Sequence, residues 1–166
     1  MKGRMSEART SVIGALLVAI GPISMALYTP AMPELARAFD TDPALVKLSL
    51  SLYFAGFAVT QLVCGPLSDA LGRRRTTVIF MILYIAGALV AVLASTIGWL
   101  LAARLLQGVG ASVGVATARA IVRDQFTGEA SSRIMSTIGM ILALGPAIAP
   151  TIGCFTLALA GWRLIP

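Results

Sequence analysis

Two groups of residues in this chain have the types and spacing to do chemistry. The first is centred on Arg104, which sits inside a long apolar run with Gln107 one helical turn further on. A charged side chain at the bilayer centre costs about 2.5–3.5 kcal/mol on insertion scales, so it carries a partner or a purpose. Arg104 is five residues past Trp99, which places it roughly 8 Å along a helix at 1.5 Å per residue. That depth fits a functional or structural polar site, and it also permits the side chain to snorkel to the headgroups. Gln107, Gly108 and Ala111 share the face of Arg104 by helical spacing. Three further polar residues within apolar runs, Tyr28, Tyr53 and Gln61, complete the set that could line a ligand wall. The second group is the stretch Gly65-Pro66-Leu67-Ser68-Asp69-Ala70-Leu71-Gly72-Arg73-Arg74-Arg75. Its glycines and proline allow a tight reversal of direction, and Asp69 lies just ahead of the next apolar run, where a helix N-terminus favours a negative charge.

Other chemistries are excluded by residue type. The chain has no histidine, and its two cysteines, Cys64 and Cys154, fall inside or at the edge of apolar runs. They read as small core residues, so neither a metal centre nor a disulfide is expected. The lysines Lys2 and Lys47 do not follow a Gly-x-x-x-x-Gly, so the phosphate loop of ATPases is absent. Gly108-Val109-Gly110-Ala111-Ser112-Val113-Gly114 has the wrong spacing for a dinucleotide fingerprint, and no strand precedes it. With no nucleophile–base–acid set, an enzyme is not expected, and no cofactor is implied.

The elements that must position these residues are membrane helices. The composition is 58% hydrophobic and 12% charged, with a mean hydropathy of +0.90, against roughly 25% charged residues in soluble domains. The expected class is an all-α integral membrane protein with the lipid bilayer as its surroundings. Residues 1–10 form a polar, basic N-terminus, and the bundle occupies 11–166 with spans at about 11–32, 44–67, 76–94, 98–122 and 134–160. The net charge of +6 would suggest nucleic acid in a soluble protein. Here the arginines sit in short loops that offer no groove-reading element, so nucleic acid is not a partner. Gly21-Pro22 interrupts the first span and implies a kink, close helix packing or a cavity. Tyr53, Gly56, Thr60, Gln61 and Cys64 give span two a polar stripe that serves either packing or a ligand. Gly110, Gly114 and Ala118 form one small-residue ridge, and Gly145, Ala149 and Gly153 another. Most basic residues lie at Lys2, Arg4 and Arg9, at Arg73 to Arg75, and at Arg119, Arg123 and Arg133. The positive-inside rule then puts the N-terminus in the cytoplasm.

Three stretches carry a family resemblance. Gly65 to Arg75 resembles the signature loop of the major facilitator superfamily, with Ala70 where many members have arginine. Leu101-Ala102-Ala103-Arg104-Leu105-Leu106-Gln107-Gly108 is similar to that superfamily's span-four motif. Gly145-Pro146-Ala147-Ile148-Ala149-Pro150-Thr151-Ile152-Gly153 is similar to its span-five antiporter motif. Together with Gly161-Trp162-Arg163 they resemble the Bcr/CflA drug-efflux branch most closely. That branch often ends its first span in Asp-Met-Tyr-Leu-Pro; this chain reads Ala26-Leu27-Tyr28-Thr29-Pro30 and lacks the acid.

The resemblance implies five helices of an incomplete six-helix half, with a C-terminal half as the missing partner. It implies proton-coupled export of small amphipathic compounds across the inner cell membrane. Under it, Gly65, Asp69, Gly72, Arg73 and Arg74 gate the cytoplasmic side. Arg104 serves proton coupling, and Gly145, Pro146, Pro150 and Gly153 shape the antiporter packing. Tyr28, Tyr53, Gln61 and Gln107 face the substrate. Two other expectations stand beside this one: a small exporter made of two copies of the chain, and a non-transporting remnant or regulatory partner of a full-length transporter.

Overall fold

A computed structural model describes residues 6–161, so Lys2, Arg4, Trp162 and Arg163 lie outside the described residues. The described chain is a bundle of α1 (Glu7–Tyr28), a one-turn 3-10 helix (Thr29–Ala31), α2 (Met32–Ala38), α3 (Pro43–Leu71), α4 (Arg73–Val92), α5 (Ile97–Gln125) and α6 (Gly128–Ala160). Among the described residues five helices are long and apolar enough to cross a membrane, with α1 and α2 counted as one continuous span. The helix starts are chemically marked. Ser6 accepts from the Arg9 amide at 3.3 Å, and Asp42 accepts from the Ala44 amide at 2.7 Å with Pro43 as the first helical residue. Hydroxyls inside the spans fold back on their own helices, as Thr77 and Thr137 do onto the carbonyls of Arg73 and Arg133. This satisfies them where water is absent.

The helices are longer than the apolar runs. The expected loop from Gly65 to Arg75 is helical except for Gly72, whose φ of 86° makes the whole turn between α3 and α4. The expected loop from Arg119 to Arg133 reduces to Phe126 and Thr127 between α5 and α6. Charged residues there extend the helices past the hydrocarbon region without ending them, because arginine is a good helix former. Asp69 therefore closes α3 and does not open α4.

α5 is the axis of the bundle. Its apolar window is 56% buried, against 17% for α6 and 22% for α3 and α4. Close approach is made by glycines. A Cβ on Gly108 would overlap the Tyr53 backbone of α3, one on Gly110 would meet the Tyr84 amide of α4 at 2.5 Å, and one on Gly114 would overlap the Leu17 carbonyl of α1. The expected single ridge is thus divided among neighbours, because a central helix must turn a small residue to each. The ridge of α6 behaves as expected: Cβ atoms on Gly145 and Gly153 would meet Ile23 and the Leu27 backbone of α1, and Ala149 is buried. Large apolar side chains such as Leu16, Leu62, Leu93 and Phe155 are exposed, which suits apolar surroundings better than water.

Candidate functional site

α5 places Arg104 at the centre of the bundle with no exposed surface. The snorkelling alternative is therefore excluded: the side chain turns inward between helices. Its guanidinium carbon lies 3.4 Å from the centroid of the Tyr28 ring of α1. A desolvated cation over an aromatic face gains about 2 kcal/mol. Arg104 Nη1 donates to Gln107 Oε1 at 3.1 Å, the pairing that one helical turn allows. Arg104 Nε and Nη2 and Gln107 Nε2 are buried without a hydrogen-bond partner.

The tyrosine is itself fixed. Ser49 Oγ donates to the Val46 carbonyl at 2.5 Å, so its oxygen accepts from Tyr28 Oη at 2.6 Å. Nearby, Tyr53 Oη donates to the Gly21 carbonyl at 3.2 Å, and Ser24 and Tyr84 share a hydrogen bond. The centre is thus one cation among hydroxyls and an amide. All seven acidic residues, Glu7, Glu34, Asp40, Asp42, Asp69, Asp124 and Glu129, stand at helix ends or in loops.

Beside this centre, a cavity of about 390 Å³ opens between α1, α3 and α6, lined by Pro22, Met25, Ala26, Tyr53, Phe57 and Pro146 among others. Its size and its aromatic, apolar wall suit a drug-sized amphipathic molecule. A second cavity of about 410 Å³ lies further along α1 and α6 and includes Gln61, Val18 and Leu142. Pro22 and Pro146 have no N–H to give to the residues four positions earlier. The carbonyls of Val18 and Leu142 therefore lose their usual donor four residues on.

The second site lies at the α3–α4 turn. Arg73 Nη2 bonds Asp69 Oδ1 at 3.4 Å, and Arg73 Nε bonds Asp124 Oδ2 of α5 at 2.6 Å. Asp69 at a helix C-terminus and Arg73 at a helix N-terminus each oppose the local dipole. Their mutual contact and Asp124 offset that cost. Arg74 is exposed, and a Cβ on Gly65 would meet nothing within 4 Å.

The signature, the buried arginine and the Gly-Pro helix now occupy one bundle in their expected order, and the Major Facilitator Superfamily profile matches residues 14–165. The chain belongs to the major facilitator superfamily. It is an integral membrane protein of that transporter superfamily. The MFS-type transporter YdgK of Bacillus subtilis (strain 168) is 40% identical over 165 residues, covering 98% of this chain and 41% of that protein. Multidrug resistance protein D of Escherichia coli (strain K12) is 33% identical over 148 residues, covering 89% and 38%. The bicyclomycin resistance protein homolog of Haemophilus influenzae (strain ATCC 51907 / DSM 11121 / KW20 / Rd) is 31% identical over 150 residues, covering 90% and 38%. The chain therefore spans 38–41% of the length of these relatives. The crystal structure of the human organic anion transporter MFSD10 (TETRAN) superposes with a TM-score of 0.72 at 22% identity, over 97% of this chain and 45% of that one, which shows the shared fold.

Within this facilitator bundle the expected residues separate. Tyr28, Arg104 and Gln107 converge in one buried cluster, and Tyr53, bonded to the Gly21 carbonyl, lines the cavity beside it. Gln61 stands apart, between the second cavity and a smaller one beside Asp69 and Arg73. Pro146 lines the first cavity, while Gly145 and Gly153 are committed to packing on α1. Gly114 and Gly153 both face α1, so neither ridge is open to a second copy of the chain.

Ser49, Tyr84 and Asp124 escaped the reading of the sequence. Ser49 was legible, since it lies one turn before Tyr53 on the same face. Tyr84 is the one tyrosine in an otherwise apolar span. Asp124 gave no signal beyond its charge, because its partner is on another helix.

Proposed function

We propose that this chain forms the N-terminal helix bundle of a proton-coupled multidrug exporter. It sits in the inner cell membrane with its N-terminus in the cytoplasm, and it moves small amphipathic compounds by antiport. The observation that carries the reading is the cavity of about 390 Å³ beside the Arg104 centre, walled by Met25, Phe54, Phe57 and the two helix prolines Pro22 and Pro146. Few polar groups border it, which suits amphipathic compounds of varied shape better than one defined polar solute. The names of the E. coli and H. influenzae relatives support drug resistance as the context. Further helices, those of a C-terminal half, complete the wall facing α3 and α6.

Arg104 takes the coupling role in this reading. Among the described residues it is the only charge at the centre, so any proton or anion arriving there changes the electrostatic balance of helices α1, α3 and α5 together. The Asp69–Arg73–Asp124 contact ties the α3–α4 turn to α5 and serves as the cytoplasmic gate. Gly145, Pro146, Pro150 and Gly153 set how α6 lies on α1, and Tyr28, Tyr53, Gln61 and Gln107 border the path of the compound.

The test is efflux of a fluorescent amphipathic cation from proteoliposomes holding the full-length parent protein, with and without an imposed proton gradient. Gradient-driven efflux is expected, and Arg104→Ala lowers its rate by about tenfold or more, as loss of an interaction worth about 1.4 kcal/mol would. Efflux that ignores the gradient sinks the antiport reading. Full activity of Arg104→Ala sinks the role given to Arg104.

A further inference from the structure

Arg119 is the side chain at which three cavities meet. It lines the cavity of about 410 Å³ between α1, α3, α5 and α6, a cleft of about 640 Å³ at the α5–α6 turn, and a cavity of about 260 Å³ beside Asp69 and Arg73. Arg119 follows Arg104 by fifteen residues, about 22 Å along α5 at 1.5 Å per residue. It therefore stands at the charged end of the bundle, and it is exposed. Two carboxylates of that end, Asp69 and Asp124, are held by Arg73. Arg119 takes part in neither ion pair and is presented to the cavities.

The cavity of about 410 Å³ is built from single faces of four helices. Val115, Ala118 and Arg119 form one stripe of α5 by helical spacing, and Met135, Ile138 and Leu142 form one stripe of α6. Its floor is fixed, because Val18, Ala118 and Ile138 belong to one packed core cluster. A Cβ on Gly139 would meet nothing within 4 Å, so the α6 wall is open there. The cavity has two distinct ends. Pro22 and Phe57 are shared with the cavity beside the Arg104 centre. Gln61 and Arg119, its two polar side chains, are shared with the cavity beside Asp69 and Arg73. The α6 stretch from Met135 to Leu142 is about 10 Å long. A lipid chain crosses about 15 Å, half of the hydrocarbon core, so the cavity suits a shorter, compact body.

We infer that this cavity binds a compact amphipathic organic anion. The apolar body lies against Phe57, Ile138 and Leu142, and the sulfonate or carboxylate head lies on Arg119 with Gln61 as a further donor. A guanidinium gives an oxyanion charge-assisted hydrogen bonds, and apolar walls beside the pair strengthen its attraction. Arg123, one turn further along α5, lines the two adjoining cavities and adds positive charge at the entrance. A cation with the same apolar body meets repulsion at that end. The inference adds a class of compound to the export reading and rests on that reading only for the direction of travel.

The experiment is isothermal titration of the full-length protein in a non-ionic detergent at constant ionic strength. Three probes share one apolar body: naphthalene-2-sulfonate, 2-naphthylmethylammonium and 2-naphthol. The sulfonate binds about tenfold or more tighter than the ammonium, as a charge-assisted hydrogen bond allows, with 2-naphthol between them. Arg119→Gln removes that preference. Gly139→Leu fills the open stretch of the α6 wall and weakens the sulfonate by about tenfold, with helix content unchanged by circular dichroism. Equal binding of the ammonium identifies a carboxylate elsewhere in the full-length protein as the partner of Arg119 and overturns the site. An undiminished preference in folded Arg119→Gln, or unaltered sulfonate binding in folded Gly139→Leu, overturns it as well. Inorganic sulfate binding as tightly as the sulfonate removes the apolar body from the site, and decane-1-sulfonate binding about tenfold tighter identifies a lipid chain; either result overturns the compact anion. Because binding is read without transport, failure here leaves the export reading intact, and failure of export leaves the binding result intact.

Discussion

Arg73 and Arg104 are the same side chain in opposite circumstances. Arg73 is partly exposed at the α3–α4 turn and holds two carboxylates, Asp69 and Asp124. Arg104 is fully buried and holds none; its partners are an aromatic face and one amide oxygen. At the turn, water screens the charge, so the ion pairs between helices are individually weak, as the proposed reversible latch requires. In the centre nothing screens the charge, so its few contacts are strong. The proposed latch at the turn needs weak contacts that open, whereas a buried centre is held by strong ones.

The largest effect should come from the packing that creates the buried environment. Gly108→Val drives a side chain into the Tyr53 backbone and should destabilise the bundle by about 3 kcal/mol or more. Gly65→Ala near the latch meets open space and should be neutral or stabilising by about 0.5–1 kcal/mol. Unfolding titrations of the two variants compare the regions directly; equal losses would erase the distinction between a packed centre and an open turn.

Next is the aromatic cover. Tyr28→Leu removes the ring face from Arg104 and should cost about 2 kcal/mol. Tyr28→Phe keeps the face and loses only the hydrogen bond to Ser49, for about 1 kcal/mol. A Phe variant as unstable as the Leu variant would show that the hydroxyl network, not the cation over the ring, holds the centre.

The smallest effect belongs to the latch. Asp124→Asn should cost about 0.2–1 kcal/mol at low salt, and the cost should vanish toward 1 M sodium chloride, where the Debye length is about 3 Å. The Tyr28 variants should lose the same stability at both salt concentrations. A salt-independent cost at Asp124 would move the latch into the class of buried contacts.

Much of this was legible in one sequence. Five apolar runs, a Gly-Pro within α1 and another within α6, and an arginine deep in the fourth run fix a helical membrane bundle with a polar site on α5. The spacing of Arg104 and Gln107 fixes their contact, since one helical turn brings them together. Other contacts had no local signal. That Tyr28 covers Arg104 joins α1 to α5. That Arg73 reaches Asp124 joins α4 to α5. That Gly108, Gly110 and Gly114 each serve a different neighbour depends on α5 lying at the centre.

Apolar run length and helical period are properties of a segment, so the sequence by itself determined the five membrane-length helices and the faces that polar residues share, but not α2 or the charged helix ends. Which helix lies inside is a property of all of them at once. It follows from which small residues let backbones approach, and only the tertiary structure decided it. The same holds for Arg104: the charge is written in the sequence, but its burial over the Tyr28 ring exists only once the helices are packed.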